Sequence, residues 1–425
     1  MGLLRHGKLI VGYDLGERFS QISYRLGEDA VETLSSVAGE ECYNIPTVLC
    51  KRTGLNQWLY GKEALRCAEE GGGILVEHVL GLALAGEQVR IDGEIFDPVA
   101  LLALFMKRSL GILAQVSSPD KLSAMMITCE KTDARMIEVL NLAVSSMHLK
   151  TNKVFYQSHA ESFYHYVIGQ PEELWRNQSL LLEYSGSAVI SHRMECNRRT
   201  TPVVCFIDSG VYDMPAYEPM PEEEELQKDK AERLDREFAG IASAACRGAA
   251  ISSVYLVGEH YSDTWMKESL RLLCMGRRVF QGNNLYSKGA CYAMAERLSP
   301  SEVGQAHVFL GEDKLKANVG IRILNRGEES YFALLDAGIN WYEASQEFEF
   351  YMRGGNELDL EITSLIGGES RTVRITLEDM LPGMSRMRAR LFLEGEKALV
   401  AEIEDLGFGS FRTATGQVWR KQIAL

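Results

Sequence analysis

Polar residues and glycines that follow apolar stretches are the first candidates for chemistry in this sequence. Asp14 and Gly16 follow the apolar run 8–13, Ser185, Gly186 and Ser187 follow the run 179–184, and Gly258 ends the run 252–257. A carboxylate in such a turn can accept hydrogen bonds from nearby backbone N–H groups, or it can hold a metal ion. The sequence leaves both roles open for Asp14.

Residue spacing argues against three other kinds of site. A nucleophilic serine at Ser185, Ser187 or Ser209 would need a G-x-S-x-G elbow, which the sequence lacks. His159 and His165 do not share a helix face, so packed or hydrogen-bonded histidines are favoured over a metal pair. The nine cysteines form no C-x-x-C pair and most lie in apolar runs, which predicts reduced core thiols and no zinc site.

Charge and hydropathy limit the partners. The chain has 425 residues, a formal net charge of −14 and no run rich in Lys or Arg. Binding to a nucleic-acid backbone needs clustered basic residues, so a nucleic-acid partner is not expected. No stretch approaches the roughly 20 apolar residues of a membrane-spanning helix, and no secretory leader is evident. We therefore expect a cytoplasmic protein with no membrane partner.

Two stretches with a similar order of predicted strands and helices would position the turns that follow residues 8–13 and 179–184. Residues 8–25 predict a β-hairpin, and helices at 98–116 and 131–147 flank a strand at 121–128. The pattern restarts with three strands in 179–208 and continues with a helix in 219–245, the strand 252–257 and a helix at 288–297. This predicts an α/β fold made of two βββαβα halves.

From about residue 300, helical spacing gives way to short alternating stretches. They lie at 348–352, 358–363, 373–377, 387–393 and 398–404, and turns, most of which contain glycine, separate them. Such a pattern is typical of an all-β sandwich or barrel. We predict an α/β domain at 1–299, a linker at 300–310 and a β-sandwich at 311–425.

Five segments follow one another in an order that a known family shares. They are VGYDLGE at 11–17, AMMITCE at 124–130, SHAESFYHY at 158–166, VYLVGE at 254–259 and SKGACYA at 287–293. They resemble motifs of the actin-like ATPase superfamily, most closely the nucleotide-binding domain of DnaK-type heat-shock chaperones. The segments 387–392 and 401–409 are similar to the end of the chaperone's substrate-binding β-sandwich. The resemblance covers nearly the whole chain and rests on order and spacing more than on identity.

The resemblance implies a cleft that binds ATP or ADP with Mg²⁺. The first phosphate loop would use Asp14, Gly16 and Glu17, with Asp14 on the metal side. The second loop would use Glu183 and Gly186, and the adenosine-side loop would use Gly258 and Glu259. Such a cleft needs glycine-rich loops whose backbone N–H groups reach the phosphates, and carboxylates that hold the metal.

Several positions depart from the family's pattern. Glu77 stands where the family has a catalytic Lys, and Ser158 replaces a carboxylate on the metal side. Ser185 and Ser187 replace glycines of the second phosphate loop, and their side chains would hinder close approach of the backbone. Glu259 replaces a glycine of the adenosine loop. The stretch after the second loop is about half as long as in the family, so the subdomain that clamps adenine is expected to be absent.

The sequence therefore favours a DnaK-like pseudo-ATPase with no catalytic residues, which serves as a protein-interaction or scaffold protein and binds a protein or peptide. The resemblance also implies that the chaperone's helical lid is missing. The alternative is an ATP-binding, chaperone-like protein with weak or rebuilt ATPase activity that uses Asp14, Gly16, Glu183 and Gly258. Formation of actin-like filaments is a weaker third hypothesis.

Overall fold

The computed structural model describes residues 8–37, 40–258, 260–261, 264–365 and 370–425. The chain divides into two compact units, Met1–Val308 and Phe309–Leu425. Residues 300–310, which the sequence predicts to be a linker, include a short helix and a short strand. The first unit is mixed α/β, and the second is β-rich.

The elements of the first unit begin and end as follows. Its strands are β1 (Leu9–Leu15), β2 (Phe19–Leu26), β3 (Glu32–Thr33), β4 (Ile45–Pro46), β5 (Leu49–Arg52), β6 (Trp58–Tyr60), β7 (Gly73–Val76), β8 (Val89–Ile91), β9 (Glu94–Phe96), β10 (Leu122–Cys129), β11 (Val154–Ser158), β12 (Gln178–Ser185), β13 (Ala188–Asn197), β14 (Val203–Asp213), β15 (Ile251–Val257), β16 (Arg278–Gln281) and β17 (His307–Phe309). Its helices are α1 (Gly61–Glu69), α2 (Val79–Ala85), α3 (Pro98–Ser109), α4 (Ala134–Met147), α5 (His159–Ile168), α6 (Glu224–Cys246), α7 (Glu268–Cys274), α8 (Leu285–Leu298) and α9 (Glu302–Ala306).

Two six-stranded sheets form the framework of this unit. The first has the order β11-β10-β1-β2-β3, with β4 also paired to β2, and the second has the order β16-β15-β12-β13-β14-β17. In the first sheet β1 is antiparallel to β2 and parallel to β10, which is parallel to β11. In the second sheet β12 is antiparallel to β13 and parallel to β15, which is parallel to β16. The two sheets thus repeat one arrangement, as the sequence indicated.

Aspartate side chains cap the starts of helices α3 and α4. The side chain of Asp97 accepts a hydrogen bond from the N–H of Val99 at the start of α3, and Asp133 accepts from Met136 at the start of α4. Such caps satisfy backbone N–H groups that have no partner inside the helix. The predicted helix 98–116 is α-helical only to Ser109 and continues as a 3-10 turn.

Helices α5 and α8 each follow one sheet in the chain and contact the other sheet. Helix α5 follows the first sheet, yet its Phe163 ring contacts Tyr255 on the second sheet at 5.9 Å between ring centroids. Helix α8 follows the second sheet, yet the hydroxyl of its Ser287 lies 2.8 Å from that of Ser23 on the first sheet. The two helices contact each other closely where Gly289 faces the backbone of α5. The start of each helix is therefore held near both sheets.

One stretch among the described residues, Pro98–Gln115, is long and apolar enough by length and composition to cross a bilayer. Half of it is buried inside the first unit. Leu102, Phe105 and Met106 on this stretch are fully buried. A core helix has the same composition, so this stretch is weak evidence for a membrane span.

A disulfide bond corrects the prediction that the cysteines are reduced core thiols. Cys196 on β13 is paired with Cys205 on β14 in the antiparallel register, and their Cα atoms are 4.1 Å apart. Their sulfur atoms are bonded. The other seven cysteines keep their thiol groups. No sequence pattern indicated the bonded pair, because the two residues become neighbours only through the strand register.

The second unit contains two four-stranded antiparallel sheets. Its strands are β18 (Ala317–Asn325), β19 (Glu328–Leu335), β20 (Ser345–Arg353), β21 (Glu357–Ser364), β22 (Arg371–Thr376), β23 (Met384–Leu393), β24 (Ala398–Asp405) and β25 (Val418–Ala424). The sheet orders are β19-β18-β21-β22 and β20-β23-β24-β25. The five predicted strands are present, and β18, β19 and β25 are additional.

Candidate functional site

A cavity of about 460 Å³ lies at the carboxyl ends of the parallel strands of both sheets in the first unit. The turn after β1, the residue after β10 and the start of α5 contribute from the first half. The ends of β12 and β15 and the start of α8 contribute from the second. Carboxyl ends of parallel strands commonly form binding sites, because the connections diverge there. We call this cavity the cleft.

An ion pair between Asp14 and His159 occupies the cleft. Nε2 of His159 donates a hydrogen bond to Oδ1 of Asp14 at 2.8 Å, and each side chain is less than 15% exposed (14% and 13%). His159 is the first residue of α5, directly after Ser158, whose hydroxyl accepts from the N–H of Glu161. The cap fixes the start of α5 and thereby the position of the imidazole.

Tyr286 extends this contact to the second sheet. Its ring is stacked on the imidazole of His159 with 4.0 Å between centroids and an angle of 6°. Its hydroxyl donates a hydrogen bond to Oε2 of Glu183 at 2.6 Å. Asp14, His159, Tyr286 and Glu183 therefore form a continuous chain of contacts from β1 to β12, which we call the bridge.

The electrostatics of the bridge favour a charged imidazole. Burial by itself would lower the pKa of His159, but the carboxylates of Asp14, Glu183 and Glu130 outweigh burial and raise it above its ordinary value. Burial raises the pKa of Glu183, and His159 and Tyr286 only partly offset this. Burial also holds the pKa of Tyr286 well above its ordinary value, so its hydroxyl stays a donor.

Most of the predicted binding residues lie on the cleft. Asp14, Gly16, Glu17, Glu183 and Gly258 all contribute to its lining. The backbone carbonyl of Gly16 accepts a hydrogen bond from the Thr47 hydroxyl at 2.9 Å. Glu17 accepts one from Nδ1 of His78 at 3.0 Å. These two residues of the predicted first phosphate loop are thus engaged in contacts within the protein.

Gly186 does not line the cleft, and its assignment as a binding residue stays a prediction. It lies exposed at the tip of the two-residue turn between β12 and β13, with a φ of +57°, a conformation that favours glycine. Its role is therefore to close the hairpin. Glu259 lies outside the described residues.

Gly258 has a structural reason to be glycine. Its φ is +117°, and a Cβ atom built there would lie 2.7 Å from the carbonyl oxygen of Tyr184. Any other residue would clash with the neighbouring strand β12 and strain the backbone. The glycine at the end of β15 is therefore explained without a bound nucleotide.

The residues that depart from the family pattern differ in their exposure and in whether they line the cleft. Glu77 is exposed and does not line the cleft. Ser158 is buried and caps α5, so it acts on the cleft only by positioning His159. Ser185 lines the cleft, whereas Ser187 is exposed beside Gly186.

A magnesium nucleotide does not fit these residues. Oδ1 of Asp14, the residue predicted for the metal, accepts a hydrogen bond from His159. The lining includes the carboxylates of Asp14, Glu17, Glu130 and Glu183, and Arg18 is its only Lys or Arg among the described residues. A polyphosphate would meet like charge over most of this surface. The described residues include no group of three or more His, Cys, Asp or Glu side chains that could hold a metal ion.

Sequence reasoning missed the residues that connect the two halves. His159 was expected to be packed or hydrogen-bonded, without a role in the site, and Tyr286 was not singled out. A histidine directly after a helix-capping serine was the one available signal for His159. Tyr286 has no sequence signal, because it reaches the cleft through the packing of distant elements.

Comparison with known proteins places the chain in a family. It belongs to a family of unknown function (DUF5716), whose C-terminal model matches residues 30–312. A domain of unknown function (DUF8552) matches residues 314–425. No curated protein matches the chain. The first match includes His159, Glu183 and Tyr286 of the bridge, and Asp14 lies before it.

Proposed function

We propose that this chain is a DnaK-like pseudo-ATPase of the actin-like superfamily that serves as a protein-interaction or scaffold protein. The repeated arrangement of the two sheets supports the superfamily assignment. The first sheet contains the antiparallel strands β1, β2 and β3 and the parallel strands β10 and β11, and the second repeats this order with β12, β13 and β14 and then β15 and β16. The helix that follows the last parallel strand of each sheet, α5 or α8, contacts the opposite half. A cleft between two such halves is the feature that these ATPases use for their nucleotide.

The observation that carries the loss of hydrolysis is the ion pair of His159 with Asp14. The imidazole donates a hydrogen bond to the carboxylate at 2.8 Å, and its raised pKa favours the protonated form, whose positive charge would stand in for that of a metal ion. Displacing it would leave Asp14 and Glu183 in a buried site without a counter-charge, which is costly. The cleft is therefore stabilised by its own side chains, and the fold is kept as a framework.

The second unit supplies a surface suited to a protein partner. Strands β19 and β20 are at the edges of their sheets in the described part of the chain. Tyr331, Phe332 and Tyr351 on these strands are exposed, and Phe332 contacts the half-buried Phe348 at 6.2 Å between centroids. An edge strand with exposed aromatic side chains can add an extended segment of a partner.

Calorimetric titration of the intact chain with Mg·ATP and Mg·ADP tests the proposal, with His159→Ala and Asp14→Ala as companions. We expect no binding heat for the wild-type protein at nucleotide concentrations up to about 1 mM, where a complex would have at least about −4 kcal/mol of binding free energy. Binding with a lower dissociation constant, lost in Asp14→Ala, would contradict the proposal.

The alternative is an ATP-binding, chaperone-like protein with weak or rebuilt ATPase activity. The size of the cleft and its lining from both halves favour this second candidate. It requires His159 to leave Asp14 when nucleotide binds. Nucleotide binding that is weak in the wild-type protein and tighter in His159→Ala would support it, because removal of the imidazole would free the carboxylate.

Selection of displayed peptides on the intact chain tests the interaction role. We expect apolar, extended peptides whose binding is lost in Phe332→Ser and kept in Leu381→Ser, an exposed apolar residue (55%) in the loop between β22 and β23. Peptides that bind both variants equally would argue against this surface.

A further inference from the structure

The cleft carries an excess of hydrogen-bond acceptors over donors. Its lining includes the carboxylates of Asp14, Glu17, Glu130 and Glu183. The only Lys or Arg side chain in the described lining belongs to Arg18, which is exposed and lies over the ring of Phe19. His159 compensates part of this charge through the bridge. The surface that remains favours a ligand with positive charge and N–H donors.

Gln21 is a second and independent sign of a missing donor. It is 4% exposed, lines the cleft, and its Oε1 has no hydrogen-bond partner among the described residues. Its Nε2 donates to Oδ1 of Asn44 at 2.5 Å. A buried carbonyl oxygen without a donor costs free energy, which a ligand's N–H group would recover.

The register of the first hairpin places this acceptor beside the acidic residues. Gln21 on β2 is directly opposite Asp14 on β1. Side chains of directly opposed residues on antiparallel strands lie on the same face, with Cβ atoms about 5 Å apart. Both side chains therefore lie on one face of the first sheet, beside each other in the lining of the cleft.

An apolar wall lies alongside the acceptors. Leu80 and Leu84 of α2 and Met136 of α4 also line the cleft. A ligand that contacts both surfaces needs a charged, donor-bearing end and a short hydrocarbon body. A bare metal ion would leave the apolar wall uncovered, and an anion would be repelled by the carboxylates.

We propose that the cleft is a binding site for a small primary alkylammonium compound. The ammonium group donates hydrogen bonds to Oε1 of Gln21 and to the neighbouring carboxylates, and the alkyl chain lies on Leu80, Leu84 and Met136. The ammonium group has three N–H donors, which suits a surface made of several acceptors.

Calorimetric titration of the intact chain with n-butylammonium chloride tests this proposal. Two matched probes separate its components: tetramethylammonium has the charge without an N–H donor, and butyrate has the chain with the opposite charge. We expect binding of n-butylammonium alone. Equal binding of tetramethylammonium, binding of butyrate, or no heat with n-butylammonium would overturn the proposal.

Substitutions of cleft residues test whether n-butylammonium binds in the cleft. Glu130→Gln changes an exposed carboxylate and leaves the core untouched, and Gln21→Met removes the buried acceptor at similar side-chain length. We expect each to raise the dissociation constant of n-butylammonium about tenfold, the effect of losing one hydrogen bond to a charged group. Glu222→Gln, on an exposed residue outside the cleft lining, is the control and should bind as the wild-type protein does.

The outcomes separate this inference from the pseudo-ATPase proposal. An unchanged dissociation constant in Glu130→Gln would place the ammonium elsewhere and refute the site, even if Gln21→Met fails to fold. Binding of Mg·ATP would refute the pseudo-ATPase proposal and leave the ammonium result to be judged separately.

Discussion

Asp14 and Glu183 occupy corresponding positions in the two six-stranded sheets. Each lies near the carboxyl end of the first strand of its sheet, beside a hairpin turn. Each is also paired with one of the last residues of the adjacent parallel strand, Thr128 for Asp14 and Val257 for Glu183. The repeated fold thus brings two carboxyl groups to one cleft. His159 and Tyr286 connect them, which adds to the other contacts between the two halves.

Replacement of His159 by Gln should destabilise the first unit. The change removes the positive charge that faces Asp14 and Glu183 and also the stacking on Tyr286. Breaking a buried ion pair in this way typically costs about 3 kcal/mol of unfolding free energy. Urea unfolding measures the loss. His148→Asn is the control, because His148 is exposed and has a positive φ that Asn also adopts. Equal stabilities of the two variants would show that the bridge contributes nothing.

The contribution of His159 should depend on pH. Its pKa is raised in the folded protein, so the stabilisation is fully present below the ordinary histidine value near 6.5 and is lost as the pH rises through the raised value. The difference in unfolding free energy between wild-type and His159→Gln should therefore shrink from pH 6 toward pH 9. Urea unfolding at several pH values measures it. A difference that grows with pH would mean that the neutral imidazole is the stabilising form.

Asp405 should stabilise the second unit strongly. It is buried and accepts hydrogen bonds from the hydroxyls of Ser385 and Thr415 and from the N–H of Gly407. Burial alone would raise its pKa, but these bonds outweigh burial and lower it to about 2. Asp405→Ala should cost about 3 kcal/mol near neutral pH, because several donors would lose their acceptor. Chemical denaturation followed through the second unit measures this loss.

Asp359→Ala provides the contrast in the same unit. Asp359 forms an ion pair with Arg374 at 2.8 Å, and both side chains are about half exposed (42% and 58%). Exposed pairs of this kind contribute less than about 1 kcal/mol to the free energy of unfolding. Equal losses in the two variants would contradict the role assigned to Asp405.

The stabilisation by Asp405 should depend on pH, because its pKa is lowered in the folded protein. The stabilisation is present above the ordinary Asp pKa near 4 and is lost as the pH falls toward 2.

Two glycine-to-alanine changes should have opposite effects on stability. A Cβ atom at Gly289 on α8 would lie 1.9 Å from the carbonyl oxygen of Ser162 on α5, so Gly289→Ala must separate the two helices. Overpacking of this kind costs about 1–3 kcal/mol. Gly240 in α6 has open space around it, and Gly240→Ala should stabilise the protein by about 0.5–1 kcal/mol. Thermal unfolding measures both, and a neutral Gly289→Ala would mean that α5 and α8 are not tightly packed.

The sequence indicated the candidate site in part. Asp14 could be found because it follows an apolar strand and precedes a turn, a pattern that survives without tertiary information. Glu183 and Gly186 were assigned to the site through the family resemblance, and Gly186 lies exposed in a tight hairpin turn outside the cleft lining. A turn signal shows where the chain reverses and does not show which side of it faces a cavity.

Local physics determined the broad organisation of this protein from its sequence alone. Period-two and helical spacing, together with capping residues such as Asp97, indicated a duplicated α/β region followed by a β-rich one. Such signals are local, because neighbouring residues set backbone preference and face. Tertiary structure alone decided that Cys196 is bonded to Cys205, that Gln21 lies beside Asp14 and that His159 is stacked on Tyr286. These contacts join residues that the strand register and the crossing of α5 with α8 bring together, and local sequence patterns do not predict such contacts.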